Sequence, residues 1–152
     1  MLIGIDPVLG PDLLATLRAM GHGDEIAIVD GNYPAQAHAQ RLIRADGLTM
    51  DRVLSAVLSV LPLDADVARP AARACNPDQP QCPDPVHHSI ERILEAALGT
   101  GGRIEVTHGP AFYDRVKRCY AVIATSEPAL FANVILRKGV VAPGSGADPR
   151  LQ

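Results

Sequence analysis

The stretch Met20-Gly21-His22-Gly23-Asp24-Glu25, followed at once by Ile26-Ala27-Ile28-Val29-Asp30, holds the side chains best suited to chemistry. A histidine between two glycines, after a helical pattern and before a strand pattern, sits on a sharp turn. The carboxyl end of a helix favours the imidazolium form. Flanking glycines leave room for a ligand, and a partly protonated imidazole is a suitable general acid near neutral pH. An exposed helix-capping histidine is the bland reading of the same residue. Asp30, at the far end of the strand pattern, can accept hydrogen bonds from hydroxyl groups, orient a base, or cap its own turn. The closeness of His22 and Asp30 in sequence predicts one small polar pocket around both. Asp24 and Glu25 read as solvated turn charges. His108 ends a second strand pattern just before Gly109-Pro110, and ligands of open α/β sheets sit at such strand ends.

Cys75, Cys82, His87 and His88 invite a zinc reading. Six residues separate the cysteines, against two to four in a common knuckle, so a proline-rich surface loop is preferred and no metal is expected. There is no nucleophile elbow, phosphate-binding glycine loop or dinucleotide fingerprint. The residues by themselves reach a small α/β protein with a His/Asp pocket and no further.

The elements that must position these residues follow from periodicity. Leu13, Leu14, Leu17 and Met20 mark a helix opened by Pro11, with Gly21 suited to the left-handed residue after it. Ile26 to Val29 is a buried strand and Gly31 to Gln40 a loop. Leu42 to Gly47 is a short strand ending in a turn. Thr49 can cap a helix from Met50 to Leu61, stopped by Pro62. An edge strand is expected within Asp66–Cys75, then a loop over Asn76–Val86. Ser89 can cap a helix over Ile90–Leu98, ended by Gly99, with Gly101-Gly102 a turn. Strands over Arg103–His108, Cys119–Thr125 and Asn133–Leu136 flank a helix from Pro110 to Arg118. Strands alternating with helices imply an α/β fold, a single layered domain with a central mixed sheet. That domain is expected over 1–142, with 143–152 a flexible tail.

The chain has 152 residues, 47% hydrophobic and 20% charged, which suits one folded domain and argues against disorder. A net charge of −3 with scattered Lys and Arg gives no electrostatic footprint for nucleic acid. The apolar runs are too short to span a bilayer. The start lacks a secretory signal, and three cysteines make no disulfide framework, so a cytoplasmic protein is expected. Three tyrosines, two phenylalanines and no tryptophan leave an aliphatic core and no stacking platform for bases.

Five blocks together resemble the RbsD/FucU family of D-ribose pyranases and L-fucose mutarotases. They are Met20-Gly21-His22-Gly23-Asp24-Glu25-Ile26, Asp30 with Asn32-Tyr33-Pro34-Ala35, Ile43-Arg44-Ala45-Asp46-Gly47, Ala111-Phe112-Tyr113-Asp114-Arg115, and Ala132-Asn133-Val134-Ile135-Leu136-Arg137-Lys138-Gly139-Val140. They occur in family order, and the third and fourth look more like the fucose branch. The middle, about Asp66 to Arg103, matches poorly. The resemblance implies a cofactor-free, metal-free isomerase acting on a free monosaccharide, assembled as a ring-shaped homo-oligomer, commonly a decamer. It implies that His22 is the catalytic acid and that Asp30 binds the sugar together with Phe131, Ala132 and Asn133. It implies a ribose-type pyranase or a non-catalytic sugar-binding protein as the alternatives to a fucose-type mutarotase. Two departures stand out. Phe131 replaces the family's tyrosine, and Gly109 falls where the fucose type has arginine, with His108 adjacent as the candidate equivalent.

Overall fold

The strand β1 (Glu25–Val29) lies near the middle of a six-stranded sheet and sets the plan of the molecule. The structure is a computed structural model that describes residues 2–79, 83–99 and 103–142. The other strands are β2 (Leu42–Ala45), β3 (Ala71–Ala74), β4 (Ile104–Thr107), β5 (Ala121–Thr125) and β6 (Val134–Arg137), in the order β2-β5-β1-β6-β3-β4. β6 pairs antiparallel with both β1 and β3, and the remaining neighbours are parallel. Five strands therefore end at one edge of the sheet, the carboxyl edge, where β6 begins.

Alternation of side chains divides β1, β5 and β6 between two cores. Ile26 and Ile28, Ala121 and Ile123, Val134 and Leu136 face a large aliphatic core. It is roofed by α1 (Pro11–Ala19), α3 (Met50–Leu58) and α4 (Pro85–Leu98). Ala27, Val29, Val122, Ala124 and Ile135 face the other way, with Ala72 and Ala74 of β3. That alanine-rich face lets α5 (Gly109–Arg118) come close enough to bury Phe112 and Val116, beside the single turn α2 (Ala35–His38). Val53, Leu54 and Val57 of α3 are wholly buried, each contributing about 1.5–3 kcal/mol of transfer free energy.

Several elements differ from the sequence reading. β3 is no edge strand: it lies between β6 and β4 and is buried on both faces. Thr49 stands at the start of α3 without a capping side-chain bond, and the Met50 amide is taken instead by Glu127 Oε2 at 3.1 Å. α4 starts five residues before Ile90. Asp84 and His87 form a reciprocal capping box there, with Pro85 at the first position, while Ser89 donates to Asp51. The predicted tail over 143–152 and the turn at Gly101-Gly102 lie outside the described residues. No helix among the described residues is long and apolar enough to cross a membrane.

Candidate functional site

The sequence of β1 places its two polar ends at opposite edges of the sheet. At the amino edge, α1 stops at Ala19 and Met20 turns to extended backbone. The left-handed residue of the following turn is Gly23, with φ 85°, rather than Gly21. The turn is sewn to the end of β6. Gly23 N–H donates to Lys138 O at 2.8 Å, Lys138 N–H to Asp24 O at 2.9 Å, and Gly21 N–H to Asp24 Oδ2 at 2.8 Å. Asp24 is thus a turn cap rather than a free surface charge. Glu25 is bound as well, its oxygens accepting from Arg115 at 2.8 and 3.1 Å. The carboxyl end of α1 is engaged by Lys138, whose Nζ donates to Leu17 O at 2.7 Å and Met20 O at 2.5 Å. An ammonium, and not the His22 imidazole, answers the helix dipole.

His22 has another partner. Its Nε2 lies 3.3 Å from Asp64 Oδ2, with the histidine side chain 48% exposed and the aspartate 2%. Asp64 Oδ2 also accepts from Arg137 Nε at 2.9 Å, and Oδ1 accepts from the Asp66 amide at 3.0 Å. The Arg137 guanidinium above all, with the Asp66 amide next, holds the Asp64 carboxyl below its ordinary value. Asp64 is therefore an anion at neutral pH. Because its folded value is lowered, the stabilisation from these bonds is present above about pH 4 and is lost as pH falls through the folded value. His22, Asp64 and Asp66 are also the one group among the described residues whose ligand atoms lie within 4.8 Å of one another. With Arg137 already occupying Asp64 Oδ2, the arrangement is an ion-paired one.

Gly139 makes this corner possible. Its N–H donates to Pro62 O at 2.8 Å. A Cβ there would fall 2.5 Å from Leu63 O and 2.8 Å from Asp64 Cα, both backbone atoms. Gly139→Ala is expected to destabilise the fold by about 1–3 kcal/mol and to loosen Asp64 from His22. Thermal unfolding and His22 side-chain NMR line widths measure the two effects.

At the carboxyl edge, Asp30 is buried and clasped by Asn133. Asp30 N–H donates to Asn133 Oδ1 at 2.9 Å, and Asn133 Nδ2 donates to Asp30 Oδ2 at 2.8 Å. The Asn32 amide donates to Asp30 Oδ1 at 2.9 Å. Burial raises the Asp30 pKa, opposed by the bonds from Asn32 and Asn133. Phe131 holds a left-handed backbone at φ 59°, and Ala132 after it is wholly buried. His87, itself buried, donates Nε2–H to Phe131 O at 3.1 Å while its Nδ1 accepts the Asp84 amide at 3.0 Å. It ties the start of α4 to the Phe131–Asn133 turn. The sequence reading missed it, although Asp84-Pro85 with His87 three positions after Asp84 is a legible helix-start pattern. Both ring nitrogens of His87 are thus engaged, Cys75 is buried with a free thiol, and Cys82 lies outside the described residues. The zinc constellation is not assembled by the residues described.

Tyr33 stands beside Asp30, its N–H donating to Asp30 O at 3.3 Å. Its hydroxyl meets His38 Nδ1 at 2.9 Å and its ring lies 5.4 Å from that of Tyr113, so three of the rare ring side chains form one wall. Burial raises the Tyr33 hydroxyl pKa. His108 is exposed at the start of α5 and makes no capping side-chain bond. It shares the carboxyl edge, but β4 is three strands from β1, roughly 14 Å at ordinary strand spacing.

The structure therefore brings Asp30 together with Phe131, Ala132 and Asn133, and sets His22 apart. The path along β1 from the His22 turn to Asp30 is roughly 20 Å at strand rise, too far for one small ligand to touch both within one chain. The expectation of a single pocket in one chain is corrected by the extended conformation of the residues between them.

A parallel-dominated sheet with one antiparallel strand and helices on both faces defines a layered α/β protein. The chain belongs to the RbsD/FucU family: the model described as the RbsD / FucU transport protein family matches residues 3–141. The fucose mutarotase of Homo sapiens is 43% identical over 145 residues, covering 91% of this chain and 94% of that protein. The crystal structure of the fucose mutarotase in complex with L-fucose from Streptococcus pneumoniae aligns with a TM-score of 0.84 and 38% identity, covering 93% of this chain and 100% of that one. Bacillus subtilis RbsD complexed with D-ribose aligns with a TM-score of 0.70 at 23% identity, over 93% and 99% of the two chains, a likeness of fold. The order of these values agrees with the lean of the sequence blocks toward the fucose branch.

Proposed function

We propose that the protein is a monosaccharide mutarotase that interconverts the anomers of L-fucose or a closely related sugar. The observation that carries this reading is similarity to fucose mutarotases over more than nine-tenths of the chain. Mutarotation removes the proton of the anomeric hydroxyl, protonates the ring oxygen as the C1–O5 bond breaks, lets the aldehyde turn, and closes the ring again. That is general acid–base chemistry plus positioning. His22 gives the proton to the ring oxygen, and Asp30, held by Asn133, accepts hydrogen bonds from sugar hydroxyls.

Assembly would bring together the two edges that lie roughly 20 Å apart along β1. In a ring-shaped homo-oligomer, a decamer in our reading, the amino edge of one copy meets the carboxyl edge of the next. Such a head-to-tail contact closes into a ring when its rotation allows. Each sugar then lies between His22 of one copy and the Asp30–Asn133 pair of its neighbour, with the Phe131 and Ala132 backbone and His108 along the same edge. Phe131 offers no phenol, so a sugar hydroxyl loses a donor at that wall.

NMR saturation transfer between the α and β forms of L-fucose tests the reading. Faster exchange with protein than without is expected. Absence of acceleration across fucose, ribose and galactose overturns it, and exchange between pyranose and furanose ribose alone assigns the ribose-type activity instead.

A further inference from the structure

We propose that His87 is a positioning residue for the sugar: by donating Nε2–H to Phe131 O, it holds the Phe131–Asn133 turn in the conformation that sets Asn133 against Asp30. The inference rests on the mutarotase reading for its effect on sugar, and not for the geometry.

His87 cannot meet a ligand itself. Its side chain is 1% exposed, and it lies on the same buried stripe of α4 as Ile90 and Leu94. Both of its ring nitrogens face backbone groups. Nδ1 accepts the Asp84 amide at 3.0 Å, so that nitrogen carries no proton. Nε2 lies 3.1 Å from Phe131 O, and a carbonyl oxygen only accepts, so the proton is on Nε2. Two main-chain groups thus fix the tautomer, and one imidazole joins a helix start to a turn 44 residues away in the chain.

The turn it reaches needs holding. Phe131 is the one non-glycine residue with positive φ among the described residues, at 59°. An L side chain keeps that backbone only where its surroundings enforce it. Downstream, the turn is pinned by Ala74 N–H, which donates to Asn133 O at 2.9 Å. Upstream, His87 is the one hydrogen-bond donor to Phe131 O among the described residues. Asn133 stands two residues beyond that carbonyl, and both ends of its carboxamide are bonded to Asp30. If Phe131 relaxes toward ordinary backbone, the direction of the chain into Asn133 changes, and the clasp on Asp30 loosens. The oxygens that Asp30 offers to sugar hydroxyls are then no longer fixed before the sugar arrives, and ordering them falls to binding.

Two substitutions separate the two bonds. Asparagine places an oxygen about where Nδ1 stands, so His87→Asn keeps the acceptor for Asp84 and loses the donor to Phe131. Glutamine places an amide nitrogen about where Nε2 stands, so His87→Gln restores that donor and gives up the helix cap. His87→Asn is expected to raise KM for L-fucose roughly 3- to 10-fold, the worth of one hydrogen bond, with kcat changed less and the Asn133 side-chain amide shifts displaced. His87→Gln is expected to recover most of the affinity and the parental Asn133 shifts, although it melts at lower temperature than the parent. A rise in KM that is equal in the two variants, or that follows melting temperature rather than the donor, shows that His87 only supports α4 and overturns the proposal. Unmoved Asn133 shifts in His87→Asn overturn it as well. Sedimentation velocity establishes that each variant assembles.

The native protein gives a reading that needs no variant. Coupling between two sites is reciprocal, so a sugar that binds the clasped turn must tighten the His87 bond. The ¹⁵N shifts of His87 are expected to show Nε2–H with a bare Nδ1, and exchange of Nε2–H with solvent is expected to slow when L-fucose saturates the site. A bare Nε2, or exchange unaltered by bound fucose, overturns the proposal. Native protein that neither binds nor speeds fucose, ribose or galactose defeats the mutarotase reading instead, and the Asn133 shifts in the two variants then decide the role of His87.

Discussion

His22→Ala is expected to slow anomer exchange by about 10²- to 10⁴-fold, the usual worth of a positioned acid–base group, with the oligomer intact. His22 is half exposed on a turn held by backbone bonds to Lys138, so its loss removes no core contact. Asp30→Ala is expected to lose comparable activity through sugar binding. Mixing the two inactive variants separates a site within one chain from a site between chains. If each sugar lies between His22 of one copy and Asp30 of the next, random co-assembly in equal amounts gives intact pairs at about a quarter of the contacts, and about a quarter of the activity returns. If both residues came from one chain, every mixed ring would stay inactive. Denaturing and refolding the mixture, then measuring saturation transfer, distinguishes the two. No recovery in verified mixed rings sinks the two-copy site.

Asn133→Asp has the second largest expected effect. The substitution leaves the oxygen that accepts Asp30 N–H and turns the donating nitrogen, 2.8 Å from Asp30 Oδ2, into another oxygen. Two carboxylates at that distance cannot both ionise, and the pair must bind a proton. The pKa of Asp30 is already raised by burial and relieved by the very bond this change removes. The sign follows. A carboxyl pair whose folded pKa is raised is fully stabilising below the ordinary carboxylate value and loses that stability as pH rises through the folded value. The variant is therefore expected to unfold at lower temperature at pH 8 than at pH 5. Its deficit against the parent is on the order of 3 kcal/mol at the higher pH, and fucose exchange is lost where the parent is active. Melting curves across that range provide the check. A variant equally stable at both values would mean that Asp30 and Asn133 do not face each other as the hydrogen bonds place them.

The turn at His22, the strand ending in Asp30 and the Phe131–Asn133 segment were legible in the sequence because each is a local pattern. Glycines mark the turn, apolar alternation marks β1, and the family blocks carry the rest. The spatial relation between His22 and Asp30 was not legible, and the reason is instructive. Residues close in sequence are close in space only if the chain turns, and here the intervening residues form a strand that carries them apart. Asp64 was hidden for the opposite reason. It sits between a helix stop and an irregular segment, and its partner Arg137 is 73 residues away in the chain. β3 was misjudged because Ala71-Ala72-Arg73-Ala74 has no β-branched residue. Burial between β6 and β4 decides its state more than propensity does. His87 was read with its proline-rich neighbours, and composition masked a helix start.

β6 runs against its neighbours, and one consequence concerns error. Its alternating side chains lock it in phase with β1, Ile28 opposite Val134 and Glu25 opposite Arg137. Just before the strand stands Asn133, the clasp on Asp30, and at its end stands Arg137, the grip on Asp64. A slip of one residue would drive Val134 and Leu136 toward the alanine-rich face and Ile135 toward the large core. The same slip would pull Asn133 and Arg137 off their carboxylates together. The apolar alternation of a single strand thus proofreads the polar contacts at both of its ends, and a chain that folds its core correctly has thereby aligned both clusters.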